Sequence, residues 1–264
     1  MSARAGLSSR FLPREPDGIG APLRLFCFHH AGGAASSFGD WRRALGPGVD
    51  VLPIQLPGRE GRAREARAGE LTELVAELDA DLDPWLSDRP YVFYGHSMGA
   101  LVAHALTRRR FEHERTLPER LVVGACPAPH LRTPLDGAAE RTDEELGQFL
   151  LDIGGMSPTL LRYPEWRRAA IALLRDDLRL CASDPHRGHP EYGARLPCPI
   201  EVFAGVDDPL VSLPHAAAWH TYTSARCRVH VQSGGHFFAQ EPGAAFAARA
   251  LAPLLRAPAV ARAC

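Results

Sequence analysis

Lysine is missing from this sequence of 264 residues: all 30 of its basic residues are arginine, against 31 acidic residues. The formal net charge is therefore only −1, and the pI is near 6.9. A nucleic-acid-binding protein usually carries a basic excess or a basic stripe, so the balance argues against nucleic acid as a partner. Arginine binds phosphate well, but a coding bias of the gene explains the missing lysine more simply.

Closely spaced cysteine pairs are also lacking. The six cysteines are scattered, at Cys27, Cys126, Cys181, Cys198, Cys227 and Cys264. A disulfide framework belongs to short secreted chains, so we expect reduced thiols and a cytoplasmic protein. The N-terminal stretch lacks the apolar core of a secretory signal. No apolar run is long enough to span a bilayer, so we expect no membrane association.

Six short runs rich in β-branched and aromatic residues alternate with helical patterns. The predicted strands are Leu23–His30, Asp50–Leu56, Tyr91–His96, Arg120–Cys126, Pro199–Gly205 and Arg226–Gln232. Most of them are nearly continuous in apolar residues, which is typical of strands covered on both faces. Strands that alternate with helices predict an α/β fold with a mostly parallel central sheet and right-handed crossovers.

Helices are expected between these strands. Apolar residues from Leu71 to Trp85 recur at steps of three and four, which gives one apolar stripe. Further helices are predicted directly after Ser97, over Leu213–Tyr222 and after Pro242.

The stretch from Leu131 to Pro197 breaks this alternation, because it contains no good strand and is too long for a plain connection. Helical patterns run through it instead, one of them from Trp166 to Leu178. They are interrupted by Gly154, Gly155, Pro158 and Pro164. We predict a hinged helical lid over about residues 131–197, inserted in a single domain that spans residues 1–264.

A charged stretch, Gly58–Glu70 (GREGRAREARAGE), is rich in arginine, glutamate and glycine. Such a run is usually a solvated loop, and we expect one here. A partner-binding surface is the alternative interpretation.

The stretch Tyr91–His104 (YVFYGHSMGALVAH) holds the candidate nucleophile. A predicted strand runs into Gly-His-Ser-Met-Gly, and a predicted helix follows at once. This G-x-S-x-G arrangement is typical of a nucleophile elbow, in which glycines such as Gly95 and Gly99 tolerate a crowded turn. The helix N-terminus behind Ser97 favours negative charge that develops nearby. We therefore predict Ser97 as a catalytic nucleophile.

A serine nucleophile needs a base, and the base needs an acid to orient it. In this arrangement the chain order is serine, then acid, then histidine. The predicted strand Pro199–Gly205 leads into Asp207 and Asp208. We favour Asp208, because the proline after it biases it towards an extended backbone. Asp207 stays open as the alternative, with a solvated turn or cap as its ordinary role.

The candidate base is His236, which follows the last predicted strand and a flexible Ser-Gly-Gly. Its position places it at the same sheet edge as Ser97. The other histidines after the acid fit less well, since His215 and His220 lie in a predicted helix and His230 lies inside a strand. His186 and His189 are expected to be surface loop residues.

The loop after the first strand, His-His-Ala-Gly-Gly-Ala, is the candidate oxyanion loop. Its small residues let backbone N–H groups approach a substrate oxygen, and we predict Ala31 N–H as one donor and Met98 N–H as the other. Adjacent His29 and His30 could suggest a metal site. Neighbouring residues of a strand point to opposite faces and no third ligand has the right spacing, so no metal is expected.

These motifs resemble those of the α/β-hydrolase thioesterases, and most closely the stand-alone type II thioesterases of polyketide and non-ribosomal peptide biosynthesis. The resemblance runs from about Leu23 to Leu255. It is carried by Phe28–Gly33 (FHHAGG), Leu56–Arg59 (LPGR), Tyr94–Ala100 (YGHSMGA), Ala204–Val211 (AGVDDPLV) and Ser233–Phe238 (SGGHFF). The family often has proline where this chain has His29.

The resemblance implies hydrolysis of an acyl group from the phosphopantetheine thioester of an acyl or peptidyl carrier protein. It also implies removal of stalled or wrongly primed acyl groups as the biological role. Ser97 would form an acyl-serine intermediate, with no metal or cofactor, and a monomer is expected. A general carboxylesterase or lipase on the same fold is the alternative. A non-catalytic interaction protein is a further one, although such proteins usually lose the serine or the histidine.

Overall fold

A single parallel sheet forms the centre of the molecule in the computed structural model, which describes residues 8–16, 20–155, 159, 163–189 and 193–256. Its strand order is β2-β1-β3-β4-β5-β6, and every neighbouring pair is parallel. The strands are β1 (Leu23–Phe28), β2 (Val49–Pro53), β3 (Tyr91–His96), β4 (Arg120–Gly124), β5 (Ile200–Gly205) and β6 (Cys227–Gln232). The predicted α/β fold with a mostly parallel sheet is confirmed.

Helices connect these strands. The α-helices are α1 (Trp41–Leu45), α2 (Leu71–Leu86), α3 (Met98–Glu112), α4 (Asp143–Asp152), α5 (Pro164–Ala182), α6 (Leu213–Ala217) and α7 (Ala252–Arg256). Shorter 3₁₀ turns cover Ala35–Phe38, Glu60–Arg62, Ala138–Glu140, Ala218–Tyr222, Phe238–Gln240 and Pro242–Ala244, and Ala247–Leu251 is a π-helix. Within the described part of the chain, no helix has the length and apolarity needed to cross a membrane.

Both faces of the sheet are buried from β1 to β5, as the apolar strands predict, whereas the edge strand β6 is partly exposed. Successive side chains of a strand point to opposite faces. On β1, Phe26 and Phe28 belong to the core cluster that contains the apolar faces of α2 and α3, whereas Leu25 and Cys27 belong to the cluster beneath α1 and the C-terminal helices. The predicted stripe on α2 faces the first of these clusters. Helices therefore pack on the two faces and leave the carboxyl edge of the sheet for other elements.

Two predicted helices are less regular than expected. The Leu213–Tyr222 helix begins as α6 and tightens into a 3₁₀ turn at Ala218. The C-terminal helix begins as a 3₁₀ turn and widens into a π-helix before Pro253. A proline cannot donate to the preceding turn and its ring collides with a carbonyl there, which is a sufficient reason for the wider turn.

The segment between β4 and β5 is helical where it is described. Helix α4 begins at a capping box in which Thr142 Oγ1 accepts from Glu145 N–H at 3.2 Å and Glu145 Oε2 accepts from Thr142 N–H at 2.8 Å. Residues of α4, α5 and the turn at Ala138 form a separate apolar cluster. Pro164 is the first residue of α5 rather than a break inside a helix. Pro158, expected as a hinge, lies outside the described residues.

Two expectations about individual side chains are wrong. Arg59, in the charged loop, is 6% exposed because it neutralises Asp177 on α5. His186 is 5% exposed because the chain after α5 folds back, so that its ring packs on His104 of α3.

His104 is fully buried within α3, in surroundings that disfavour its protonated form. Its ring packs edge-on against Trp219 and Tyr222. Neither ring nitrogen has a hydrogen-bond partner among the described residues. Burial, followed by the positive charges of Arg108 and His186, lowers the pKa of His104 well below 6.5. The folded protein therefore holds this ring neutral at pH values at which the unfolded chain protonates it.

We predict that the free energy of unfolding falls as the pH drops below about 6.5, because only the unfolded chain then binds a proton at His104. Above that pH the contribution is fully present. The slope for one such group approaches about 1.4 kcal/mol per pH unit. Urea unfolding at a series of pH values should give a shallower acid slope for His104→Phe than for the wild type. His113→Gln, an exposed position directly after the same helix, is the control, and equal slopes for His104→Phe and wild type contradict the assignment.

Candidate active site

Ser97 occupies a strained turn between β3 and α3. Its backbone has φ 53° and ψ −116°, a conformation that residues with a side chain rarely adopt. Such a residue costs of order 1–3 kcal/mol and persists only where its surroundings enforce it. The turn directs Ser97 to the carboxyl edge of the central strand, where ligands bind in parallel sheets.

Two glycines make this turn sterically possible. A Cβ atom at Gly95 would come within 3.0 Å of the Gly99 carbonyl, and a Cβ atom at Gly99 would come equally close to the Phe28 carbonyl at the end of β1. Neither position has room for a side chain. The helix, the central strand and the neighbouring strand therefore approach one another with backbone against backbone, as the sequence pattern predicts.

The structure brings Ser97, His236 and Asp208 together although they come from three separate loops. His236 Nδ1 lies 2.9 Å from Asp208 Oδ2, and His236 Nε2 lies 3.1 Å from Ser97 Oγ. A carboxylate can only accept, so the hydrogen-bond pattern assigns the proton to Nδ1. The Nε2 lone pair then accepts from the Ser97 hydroxyl, which is the arrangement that a general base needs.

Asp208 and Asp207 lie in very different surroundings. The Asp208 side chain is fully buried and accepts the backbone N–H groups of Leu210 at 2.8 Å and Val211 at 3.2 Å. These bonds and the His236 ring fix the carboxylate. Asp207 is exposed, and its backbone N–H donates to Gly234 at 3.1 Å. The structure thus places Asp208, and not its neighbour, beside His236.

A tight turn carries the predicted oxyanion donor Ala31. Gly33 N–H donates to the His30 carbonyl at 3.0 Å, and Gly32 between them has φ 76°, which favours glycine. Ala31, Ser97 and Met98 line one cavity of about 470 Å³. Both residues that are predicted to supply backbone donors therefore line the same cavity as Ser97.

His29 and His30 take part in this turn instead of forming a metal site. His29 Nδ1 donates to the His30 carbonyl at 2.8 Å, and Gln240 Nε2 donates to the His30 ring at 3.1 Å. Burial and the charge of Arg59 lower the pKa of His29 to about 4, so its ring is neutral. Among the described residues, no group of three potential ligands is placed to hold a metal ion.

His96 supports the candidate base and was not singled out from the sequence. Its Nε2–H donates to the His236 carbonyl at 2.8 Å, and its Nδ1 accepts from Tyr94 Oη at 3.0 Å. Burial and the nearby charge of His236 lower the pKa of His96 to about 3, which keeps this pattern of donors. The only sequence signal was its place inside the Gly-His-Ser-Met-Gly turn.

Comparison with known proteins identifies the family. The family model described as "Thioesterase domain" matches residues 23–250, most of the chain. This chain belongs to the thioesterase family. That membership confirms the predicted resemblance and favours a thioesterase over a general carboxylesterase or lipase.

Relatives of this thioesterase include proteins of known biosynthetic pathways. The thioesterase PikA5 of Streptomyces venezuelae is 34% identical over 219 residues, which cover 82% of this chain and 75% of PikA5. The gramicidin S biosynthesis protein GrsT of Aneurinibacillus migulanus is 32% identical, with 84% of each chain covered. The structure of the RedJ thioesterase, from the prodiginine pathway of Streptomyces coelicolor, superposes with a TM-score of 0.80 at 31% identity, over 88% of this chain and 90% of RedJ.

The cavity of the thioesterase is lined by the helical segment as well as by α3 and by loops at the carboxyl edge of the sheet. Its apolar lining near Ser97 comprises Met98, Leu101, Cys126, Leu131, Leu135, Leu178 and Cys181. Charged residues, among them Asp136 and Arg187, which form an ion pair, also contribute to the wall. Burial raises the pKa of both cysteine thiols, so they stay neutral and behave as apolar groups. The chamber is therefore mainly apolar, with a few polar groups.

We predict that Asp208→Asn lowers kcat of the thioesterase by about 10³- to 10⁴-fold, because an amide does not hold the His236 proton on Nδ1. The matched control is Asp207→Asn, an isosteric change at an exposed neighbour, which should change kcat less than about threefold. Steady-state hydrolysis of a p-nitrophenyl ester measures both. An equal loss at the two positions, or a larger loss at Asp207, contradicts the assignment of the acid.

Proposed function

We propose that this protein is a stand-alone type II thioesterase that hydrolyses acyl groups from carrier proteins of polyketide or non-ribosomal peptide biosynthesis. The observation that carries the proposal is the alignment of Ser97 Oγ, His236 Nε2 and Asp208 at the wall of an apolar chamber. The names of GrsT and RedJ place those relatives in the biosynthesis of gramicidin S and of prodiginine. The substrate is then an acyl or peptidyl thioester on a phosphopantetheine arm.

In the acylation step, Ser97 Oγ attacks the thioester carbonyl while His236 Nε2 accepts the hydroxyl proton. The Ala31 and Met98 N–H groups stabilise the oxyanion of the tetrahedral intermediate. The intermediate collapses as His236 returns its proton to the departing sulfur. A thiol with a pKa near 8.5 is a good leaving group, so the carrier arm leaves as a free thiol and the acyl group stays on Ser97.

In the deacylation step, water takes the place of the carrier thiol. His236 removes a proton from this water, which attacks the acyl-serine ester, and the same two N–H groups hold the second oxyanion. His236 then protonates Ser97 Oγ, and the carboxylic acid leaves. Asp208 stabilises the imidazolium that forms in each step and does not itself take the proton.

The size and the apolar lining of the chamber suit an acyl substrate. A volume of about 470 Å³ falls in the range of small-molecule sites, about 300–1,000 Å³. Its apolar wall suits an alkyl or polyketide chain. Burial of that chain provides binding energy distant from the reacting carbonyl, which positions the thioester at Ser97.

We also propose that the enzyme acts as a monomer in the cytoplasm, with the carrier protein as its transient partner. Support for a reducing compartment comes from Cys27, Cys126, Cys181 and Cys227, which are free thiols in the described part of the chain. Sedimentation at working concentration tests the monomer.

We further propose that residues 131–197 form a lid within a single domain. One part of this segment is fixed, since Asp176 and Asp177 near the end of α5 pair with Arg67 and Arg59. Ser183 Oγ also accepts from Leu71 N–H at 2.9 Å. Helix α4 packs on an apolar cluster that is separate from the main core, so it can move without disrupting that core. We assign the gating motion to α4 and the first turns of α5.

We predict that Ser97→Ala abolishes hydrolysis, with a loss of about 10⁶-fold, while the fold is retained because the side chain lies at a turn. Mass spectrometry of an acyl-carrier protein before and after incubation measures the loss. Ser87→Ala, at the end of α2, is the control and should match the wild type. Hydrolysis at the wild-type rate by Ser97→Ala would place the nucleophile elsewhere.

We predict that an acyl-loaded carrier protein slows amide hydrogen exchange in α4 of the Ser97→Ala enzyme. Exchange reports local opening, and a lid that closes over an acyl chain opens less often. The same carrier without an acyl group is the control, and α2, which does not line the chamber, should be unaffected in either case. Identical exchange of α4 with both carriers would make the segment a rigid scaffold.

A further inference from the structure

The turn that carries Ala31 does not hold its position by its own hydrogen bonds alone. A side chain from the helical segment reaches it: Gly32 N–H donates to Asp177 Oδ2 at 2.7 Å. Asp177 belongs to α5, and 145 residues separate it from Gly32. The amide directly after Ala31 is thus fixed by a carboxylate from a distant element.

Arg59 completes this contact from a second direction. Its Nη1 and Nη2 donate to the two oxygens of Asp177, both at 2.8 Å, in the bidentate geometry that makes such pairs strong and directional. The same Nη1 also donates to the Gly33 carbonyl at 3.2 Å. Two successive residues of the turn are therefore held by hydrogen bonds, Gly32 through its N–H group and Gly33 through its carbonyl.

Burial makes the arrangement rigid. Asp177 is 2% exposed and Arg59 is 6% exposed. Gln55 is also buried and links the chain after the Ala31 turn to the loop that carries Arg59. Its Oε1 accepts from Ala35 N–H at 3.2 Å, and its Nε2 donates to the Arg59 carbonyl at 3.2 Å. In surroundings with little water, these bonds are stronger than at a surface and the charges are not screened.

We infer that Asp177 and Arg59 are positioning residues for catalysis: together they set the orientation of the turn that presents the Ala31 N–H group to the oxyanion. The inference rests on the proposed roles of Ser97 and Ala31. An oxyanion donor is effective only when it is aimed in advance at the place where the charge develops. The pair also makes the oxyanion loop depend on the docking of α5, so that the helical segment contributes to the reaction as well as to the chamber.

The neighbouring pair Arg67–Asp176 supplies an internal control. It joins the same charged loop to the same helix, at 2.6 Å, but its side chains are 29% and 37% exposed. A purely structural role in docking α5 would be shared by the two pairs. A role in positioning the turn, in contrast, is specific to Asp177 and Arg59, because these two side chains contact Gly32 and Gly33.

The test compares Asp177→Asn, Arg59→Lys and Asp176→Asn with the wild type, at a temperature at which melting curves show each protein to be folded. The substrate is a p-nitrophenyl ester, which needs the reaction centre but no carrier protein. Asp177→Asn should lower kcat by about 10- to 100-fold with KM changed less than about threefold, because a misplaced donor weakens transition-state binding selectively. Arg59→Lys, which keeps the charge but not the paired bonds, should show a smaller loss, and Asp176→Asn none.

A trifluoromethyl ketone provides the second measurement. Ser97 adds to its carbonyl and leaves an oxyanion in the hole, so its inhibition constant should rise in Asp177→Asn by the same factor by which kcat/KM falls. If Asp177→Asn does not fold, Arg59→Lys takes its place in the comparison with Asp176→Asn and the wild type. A folded Asp177→Asn with wild-type kcat, or an equal loss in Asp176→Asn, overturns the positioning role. A wild-type enzyme as inactive as Ser97→Ala would instead overturn the proposed function.

Discussion

The close approach of three backbone segments at the carboxyl edge of the sheet is the constraint on which the site depends. Gly99 lies so near the Phe28 carbonyl that no side chain fits between them, and Gly95 is equally crowded by the start of α3. This approach forces Ser97 into its unusual backbone conformation. It also brings the chain that leaves β1 directly to the reaction centre, which is why Ala31 can lie on the same cavity wall.

Neutral, buried histidines surround this centre and serve as hydrogen-bonding groups. His29 and His96 have lowered pKa values, about 4 and about 3, and each donates to a backbone carbonyl of a loop in the site. Their rings stay neutral at physiological pH, so they do not add charge beside His236. The loops of the site are thus held by imidazoles that stay neutral near pH 7.

Local patterns predicted the fold, and they singled out the three residues that the structure brings together as the candidate triad, because both depend on neighbouring residues. The elbow around Ser97 is contiguous, and Asp208 and His236 each follow a strand that could be recognised by composition. The Arg59–Asp177 pair could not be predicted, because 118 residues separate its members and Asp177 is an ordinary polar position in a helix. Arg59 looked like part of a solvated charged loop, and only the docking of α5 shows why it is buried.

The most direct test of Ser97-centred thioester hydrolysis is rapid acid quenching of the wild-type enzyme with an acyl-carrier protein, followed by peptide mass spectrometry. The account predicts that, within the first turnover, the peptide containing Ser97 gains the mass of the acyl group, and that this adduct decays as free acid appears. Turnover of the carrier thioester with no acyl group on that peptide, or with the acyl group on another residue, would contradict it.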